Sequence, residues 1–204
     1  MDIKYFCVDI ESTGRTPGNY TMLSFGATVV GDTQQQFYRE LQPINYNYVF
    51  ERTRIGSLGL ECLKERKSDP RYNPESSKFD PLRVLRLMKK NCADPQQSML
   101  EFREWVLGLS QGYEPRICAA PIKFDGAWIS WYFDHFFDEM DPFAHHGEDI
   151  NSLYRGHMND VLANIKQLGL RSEKGLNHNA LEDAIQEALE MEAVLNLMKK
   201  ERRS

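Results

Sequence analysis

The chain has 204 residues, 41% apolar and 27% charged, with a formal net charge of -5, a composition that excludes wholesale disorder. No run approaches the roughly 18 consecutive apolar residues of a membrane span, and the N-terminus lacks a basic-then-apolar signal layout. The net negative charge argues against a protein that coats duplex DNA. Cys7, Cys62, Cys92 and Cys118 are too scattered for a disulfide framework or a zinc motif, which suits a reducing, cytoplasmic setting.

Tyr5–Ile10 is a short apolar run of β-branched and aromatic residues and predicts a buried strand. A polar Gly/Pro turn separates it from a second strand over Met22–Val30, and Gln35–Leu41 alternates like a third, giving an antiparallel meander. Residues 45–95 are the least periodic part: closely spaced aromatics (Tyr46, Tyr48, Phe50), breakers at Gly56, Gly59, Pro70 and Pro74, and one short amphipathic helix marked by Leu82, Leu85 and Met88. This segment carries 11 Lys and Arg against 7 acids, while the rest of the chain carries 14 against 23. Its length and charge suggest an insertion, read either as a solvated surface or as a lid that touches a polyanion.

Beyond the insertion, Ser98–Leu109 has helical spacing, with Ser98 as the expected N-cap and Glu101 three residues on. Arg116–Ile122 reads as a strand, Ala127–Phe137 as an aromatic helix, Asp149–Tyr154 as a further strand and Ala180–Met198 as the clearest helix. This order predicts an α/β fold, a central mixed β-sheet flanked by α-helices, in one domain over 1–204 with the insertion at about 45–95.

Three local features carry chemistry. Asp9 and Glu11 end the first strand, and i, i+2 spacing points both carboxylates to one face. Asp125 lies between a strand and an aromatic helix, and Asp183 sits in the first turn of the last helix, five residues after His178. Each alone has an ordinary explanation as a strand-end carboxylate, an N-cap or a dipole partner. Together they supply four hard oxygen ligands, which suit Mg²⁺ or Mn²⁺, and a histidine whose ordinary pKa fits a base that activates water.

Asp9-Ile10-Glu11-Ser12-Thr13-Gly14 resembles the first motif of the DEDDh 3′→5′ exonucleases, the group of RNase T and bacterial proofreading subunits. Phe124-Asp125 resembles the core of the second motif, and His178-Asn179-Ala180-Leu181-Glu182-Asp183 the third. The resemblance runs from Lys4 to about Met198, apart from residues 45–95. It departs at Pro121, where the family commonly has Asn. It implies an RNase H-like fold, two divalent cations (Mg²⁺ or Mn²⁺) on Asp9, Glu11, Asp125 and Asp183, and His178 as the general base. The implied reaction releases nucleoside 5′-monophosphates from the 3′ end of single-stranded DNA or RNA, or from short oligonucleotides. Glu11 or the backbone of Ser12-Thr13 would hold the terminal 3′-hydroxyl. Met22 and Leu23 stand where relatives place apolar residues against terminal bases, with ordinary core as the other reading. No membrane partner is expected, and dimers occur among relatives, so a homodimer is one expected assembly. The competing functions are a metal-dependent phosphohydrolase acting on nucleotides or very short oligomers and a non-catalytic nucleic-acid-binding module on the same fold. The presence of all five residues favours the nuclease.

Overall fold

A computed structural model describes residues 2–138, 140–171 and 177–201. Five strands form one sheet in the order β3-β2-β1-β4-β5. β1 (Asp2–Ser12), β2 (Met22–Val29) and β3 (Asp32–Glu40) make the expected antiparallel meander. β4 (Tyr113–Ala119) and the short β5 (Gly147–Asp149) add in parallel on the other side of β1.

The period of the strands divides the core in two. Phe6, Val8 and Ile10 of β1 face α3 (Pro95–Leu109) and α4 (Ile122–Phe136), in a cluster with Phe25, Phe37, Phe102, Trp128 and Phe133. Cys7, one residue out of phase, faces α5 (Ile150–Met158) and α6 (Ala180–Glu201), among Ile150, Tyr154, Ala188 and Met191. Asp9 and Glu11 share the parity of Cys7, so the strand directs them to the α6 side.

Residues 45–95 are not a long loop. They fold into α1 (Phe50–Gly56), a 3-10 turn (Glu61–Arg66) and α2 (Pro81–Asn91), with a core of Leu60, Leu63, Phe79, Val84, Leu85, Leu87 and Met88. Leu23 joins this core because a bulge in β2 breaks the period: Glu11 pairs with Ser24, but Ser12 pairs with Met22. Met22 therefore stays in the main core while Leu23 turns to the insertion. Short-range sequence signals such as Asp80-Pro81 cap α2 but give no sign of where its apolar face is buried.

Three local expectations are corrected. Asp149–Tyr154 is not a strand; only Gly147–Asp149 pairs with β4, and Asp149 caps α5 by accepting from Ser152 N–H at 2.8 Å. The helix expected from Ser98 begins earlier: Asp94 caps it through Gln97 N–H at 3.0 Å, Pro95 takes its first turn, and Ser98 is buried inside it. Ile122 belongs to α4 rather than to β4. Among the described residues, no helix is long and apolar enough to cross a membrane.

Candidate active site

β1 outruns β4. Their pairing stops at Cys7–Cys118, so the last residues of β1 have no strand on that side. Asp125, in the first turn of α4, fills the gap: its Oδ1 accepts from Ile10 N–H at 3.2 Å. Asp125 is thus not the helix cap; Pro121 occupies that position without a side-chain bond, and Asp125 is buried against the end of β1.

The third motif reaches the same place through α6. Asn179 caps that helix, its Oδ1 accepting from Leu181 and Glu182 N–H. The first turn then lies directly on β2, where a Cβ at Gly26 would stand 2.3 Å from Leu181 N; only glycine admits the backbone this closely. Asp183 is buried, and its two oxygens accept from the N–H groups of Asn177 (2.9 Å) and His178 (3.0 Å). Those bonds hold His178 in the left-handed region, at φ 55°. Its Nδ1 lies 3.4 Å from Glu11 Oε1. Ligand atoms of Glu11, His178 and Asp183 all fall within 4.8 Å of one another.

The electrostatics are those of anions crowded together. Burial, and after it Asp125, Glu11, Glu187 and Asp183, push the Asp9 carboxyl well above its ordinary range. Burial takes Asp125 to about 8, although the Ile10 N–H opposes the shift. Glu11 is raised by burial and lowered by His178; His178 is raised in turn, chiefly by its hydrogen bond to Glu11. Among the described residues, Asp9 Oδ2 is buried with no hydrogen-bond partner. An orphaned carboxylate oxygen facing further carboxylates is the electrostatic signature of a cation site, and an all-oxygen set fits a hard divalent ion.

The segment 45–59 closes one side of the site. Thr13 Oγ1 donates to Asn47 O at 2.8 Å, Val49 N–H donates to Thr13 O at 2.8 Å, and Asn179 Nδ2 donates to Gly59 O at 3.0 Å. Thr13 N–H is engaged with Thr21 O at 3.0 Å, and Ser12 Oγ donates to Gly14 O at 2.7 Å. The polar groups of Ser12 and Thr13 named in the sequence reading therefore shape the turn. Met22 and Leu23 are buried at 0% and 1% exposure, in two separate cores. Tyr46, Tyr48 and Phe50, by contrast, are exposed beside the Thr13 turn.

Glu187 and Glu190 escaped the sequence reading. Glu187 lies one turn beyond Asp183 on α6, is buried, and accepts from Ala120 N–H at 3.0 Å, which ties α6 to the entrance of α4. Glu190, fully buried, takes a two-pronged bond from Arg171, whose Nη2 lies 2.8 Å from Glu190 Oε2. The only sequence hint was spacing: Asp183, Glu187 and Glu190 follow one another at i+4 and i+3 on an otherwise apolar helix face.

No family model matches the chain. It is 28% identical over 185 residues to the 3′-5′ DNA exonuclease Cap18 of Escherichia coli, an alignment spanning 88% of this chain and 85% of that protein. Its fold matches a moderately thermophilic exonuclease I from Methylocaldum szegediense, with a TM-score of 0.59 and 14% identity over 99% of this chain and 41% of that one. It also matches the zinc-bound E. coli ExoI–ssDNA complex, with a TM-score of 0.56 and 12% identity over 100% of this chain and 42% of that one. The chain spans less than half the length of these solved structures. The mixed five-stranded sheet flanked by helices is the RNase H-like arrangement expected.

Proposed function

We propose that this chain, similar in sequence and fold to DEDDh-type 3′→5′ exonucleases, is a metal-dependent phosphodiesterase that removes nucleoside 5′-monophosphates from the 3′ end of single-stranded DNA. The observation that carries the reading is the crowding of buried carboxylates at the end of β1: Asp125, Glu11 and Asp183 all raise the Asp9 carboxyl, Asp9 Oδ2 has no partner among the described residues, and Glu11 and Asp183 cluster with His178.

The four carboxylates would hold two divalent ions, Mg²⁺ or Mn²⁺, whose charge the four anions balance. When bound, such ions lower the pKa of a water and stabilise charge on the leaving oxygen. His178 then has the work of a general base. Its Nδ1 faces Glu11, which fixes the ring, and its side chain remains 39% exposed, open to an entering strand and a water. Asp183 holds the backbone of His178, so the residue that binds cation also positions the base. Glu11, beside the Ser12–Thr13 turn whose polar groups are already engaged, would receive the terminal 3′-hydroxyl. The exposed rings of Tyr46, Tyr48 and Phe50 stand next to that turn and offer stacking faces for unpaired bases, with the cations of the insertion tracking the phosphates.

The test is digestion of end-labelled single-stranded DNA, single-stranded RNA and dinucleotides, each with Mg²⁺, Mn²⁺ or EDTA. Stepwise release of 5′-mononucleotides from the 3′ end of DNA, stopped by EDTA, is expected. Undiminished cleavage in EDTA, or binding without cleavage under every metal condition, overturns the proposal.

A further inference from the structure

A second cluster of metal-ligating side chains lies away from the carboxylate site. Glu40 ends β3, Cys62 lies in the 3-10 turn, and Cys92 closes α2. One carboxylate oxygen and the two sulfurs all fall within 4.8 Å of one another. All three residues are partly exposed, so an ion has a path in.

The carboxylate is held in place for such a role. Glu40 Oε1 accepts from Tyr38 Oη at 2.8 Å and from Glu61 N–H, which uses both its lone pairs. Among the described residues, Oε2 accepts a single bond, from Cys62 N–H at 3.0 Å, which leaves a lone pair for an ion. Ligating carboxylates in metal sites are oriented by outer hydrogen bonds of this kind. Lys64, one of the two cations of the same turn, is paired with Glu61 at 2.6 Å.

We propose that Glu40, Cys62 and Cys92 form a binding site for a thiophilic divalent cation of the Zn²⁺ class, with its fourth position open to water. Two thiolates select a borderline-soft ion over Mg²⁺, and ligand atoms this close can converge on a tetrahedral ion with bonds of about 2.0–2.3 Å. Binding releases the two thiol protons to solvent. No zinc motif is legible in the sequence because the two cysteines are separated by a whole helix. An ion here would pin the 3-10 turn and the end of α2 to β3. It would also fix Gly59, which precedes that turn and contacts the loop of His178.

The experiment is titration of the reduced, metal-stripped protein with Co²⁺, read by thiolate-to-cobalt charge-transfer absorption, to which an all-oxygen site contributes nothing. One equivalent of absorbing Co²⁺ is expected, displaced by Zn²⁺, lost in Cys62→Ser and in Cys92→Ser, and retained in Asp9→Ala. Native alkylation followed by mass spectrometry gives an independent reading on the unmodified chain: Zn²⁺ should protect Cys62 and Cys92 together. Absence of the band, its survival in either serine variant, or alkylation unchanged by Zn²⁺ overturns the proposal. So does conversion of the pair to a disulfide by mild oxidant in a protein that binds no Zn²⁺.

Discussion

Gly59 and His178, 119 positions apart in sequence, are in backbone contact: a Cβ at Gly59 would stand 2.3 Å from the His178 carbonyl oxygen. Asn179, the next residue, binds the Gly59 carbonyl through its side chain. The insertion thus forms one wall of the loop that carries the proposed base, and the loop has no room to yield without moving His178.

Gly59→Ala should therefore displace the His178 loop while leaving the carboxylates in place. Misplacement on the ångström scale at a reacting group costs about 10²-fold in rate. A fall of that order in kcat, with Mg²⁺ affinity by calorimetry unchanged, is expected. Wild-type kcat in the variant would show that the contact does not position the histidine.

Removing the proposed base should differ from removing a ligand. Asp183→Ala takes away a carboxylate and the acceptor for two backbone N–H groups, so metal binding and nearly all activity should go together. His178→Ala should keep the metal and lose about 10²–10⁴-fold in rate. A base works deprotonated, and the hydrogen bond to Glu11 shifts His178 upward, so wild-type kcat should rise with pH through the neutral range. His178→Ala should lack that rise; an identical pH profile would refute the assignment.

The metal-free protein should become less stable as pH increases. Burial and neighbouring carboxylates hold the folded pKa of Asp9 and Asp125 above the unfolded value of about 3.9, with Asp125 at about 8. Between those limits the folded state binds more protons than the unfolded one, so stability is lost as pH rises through the window. Melting in EDTA should show Tm falling from pH 5 to pH 8. Mg²⁺ or Mn²⁺ should raise Tm more at pH 8, where the carboxylates proposed to bind it would otherwise repel. A Tm in EDTA that is flat or rising across this range would contradict the expected crowding.

The Arg171–Glu190 pair should be worth more to break than to replace. Glu190 is fully buried and its two oxygens face one guanidinium. Arg171→Met strands that carboxylate and should cost about 3–5 kcal/mol in urea denaturation; Arg171→Met with Glu190→Leu should recover most of it. Equal losses in the single and double variants would mean that the pair contributes through packing alone.

By itself, the sequence determined whatever short-range patterns encode. Short apolar runs marked β1 and β2, alternation marked β3, helical spacing marked α6, and Asp-x-Glu and His-x4-Asp placed their carboxylates at element ends, where an i, i+2 or a first-turn position already sets direction. Where two local signals compete, short-range pattern is ambiguous. Asp149 has the pattern of a strand but caps α5, and Ser98 has the chemistry of a cap although Asp94-Pro95, just upstream, starts α3. Tertiary structure decided the rest, because burial and charge pairing depend on partners far apart in the chain. The bulge at Leu23 turns a strand residue toward the insertion, and the early end of β4 opens Ile10 N–H to Asp125. Gly59 meets His178, and Glu40 meets two cysteines 30 residues apart, because packing residues 45–95 against β1 and β3 brings them together. No periodicity or composition records those contacts; they exist only once the apolar faces of distant segments have found each other.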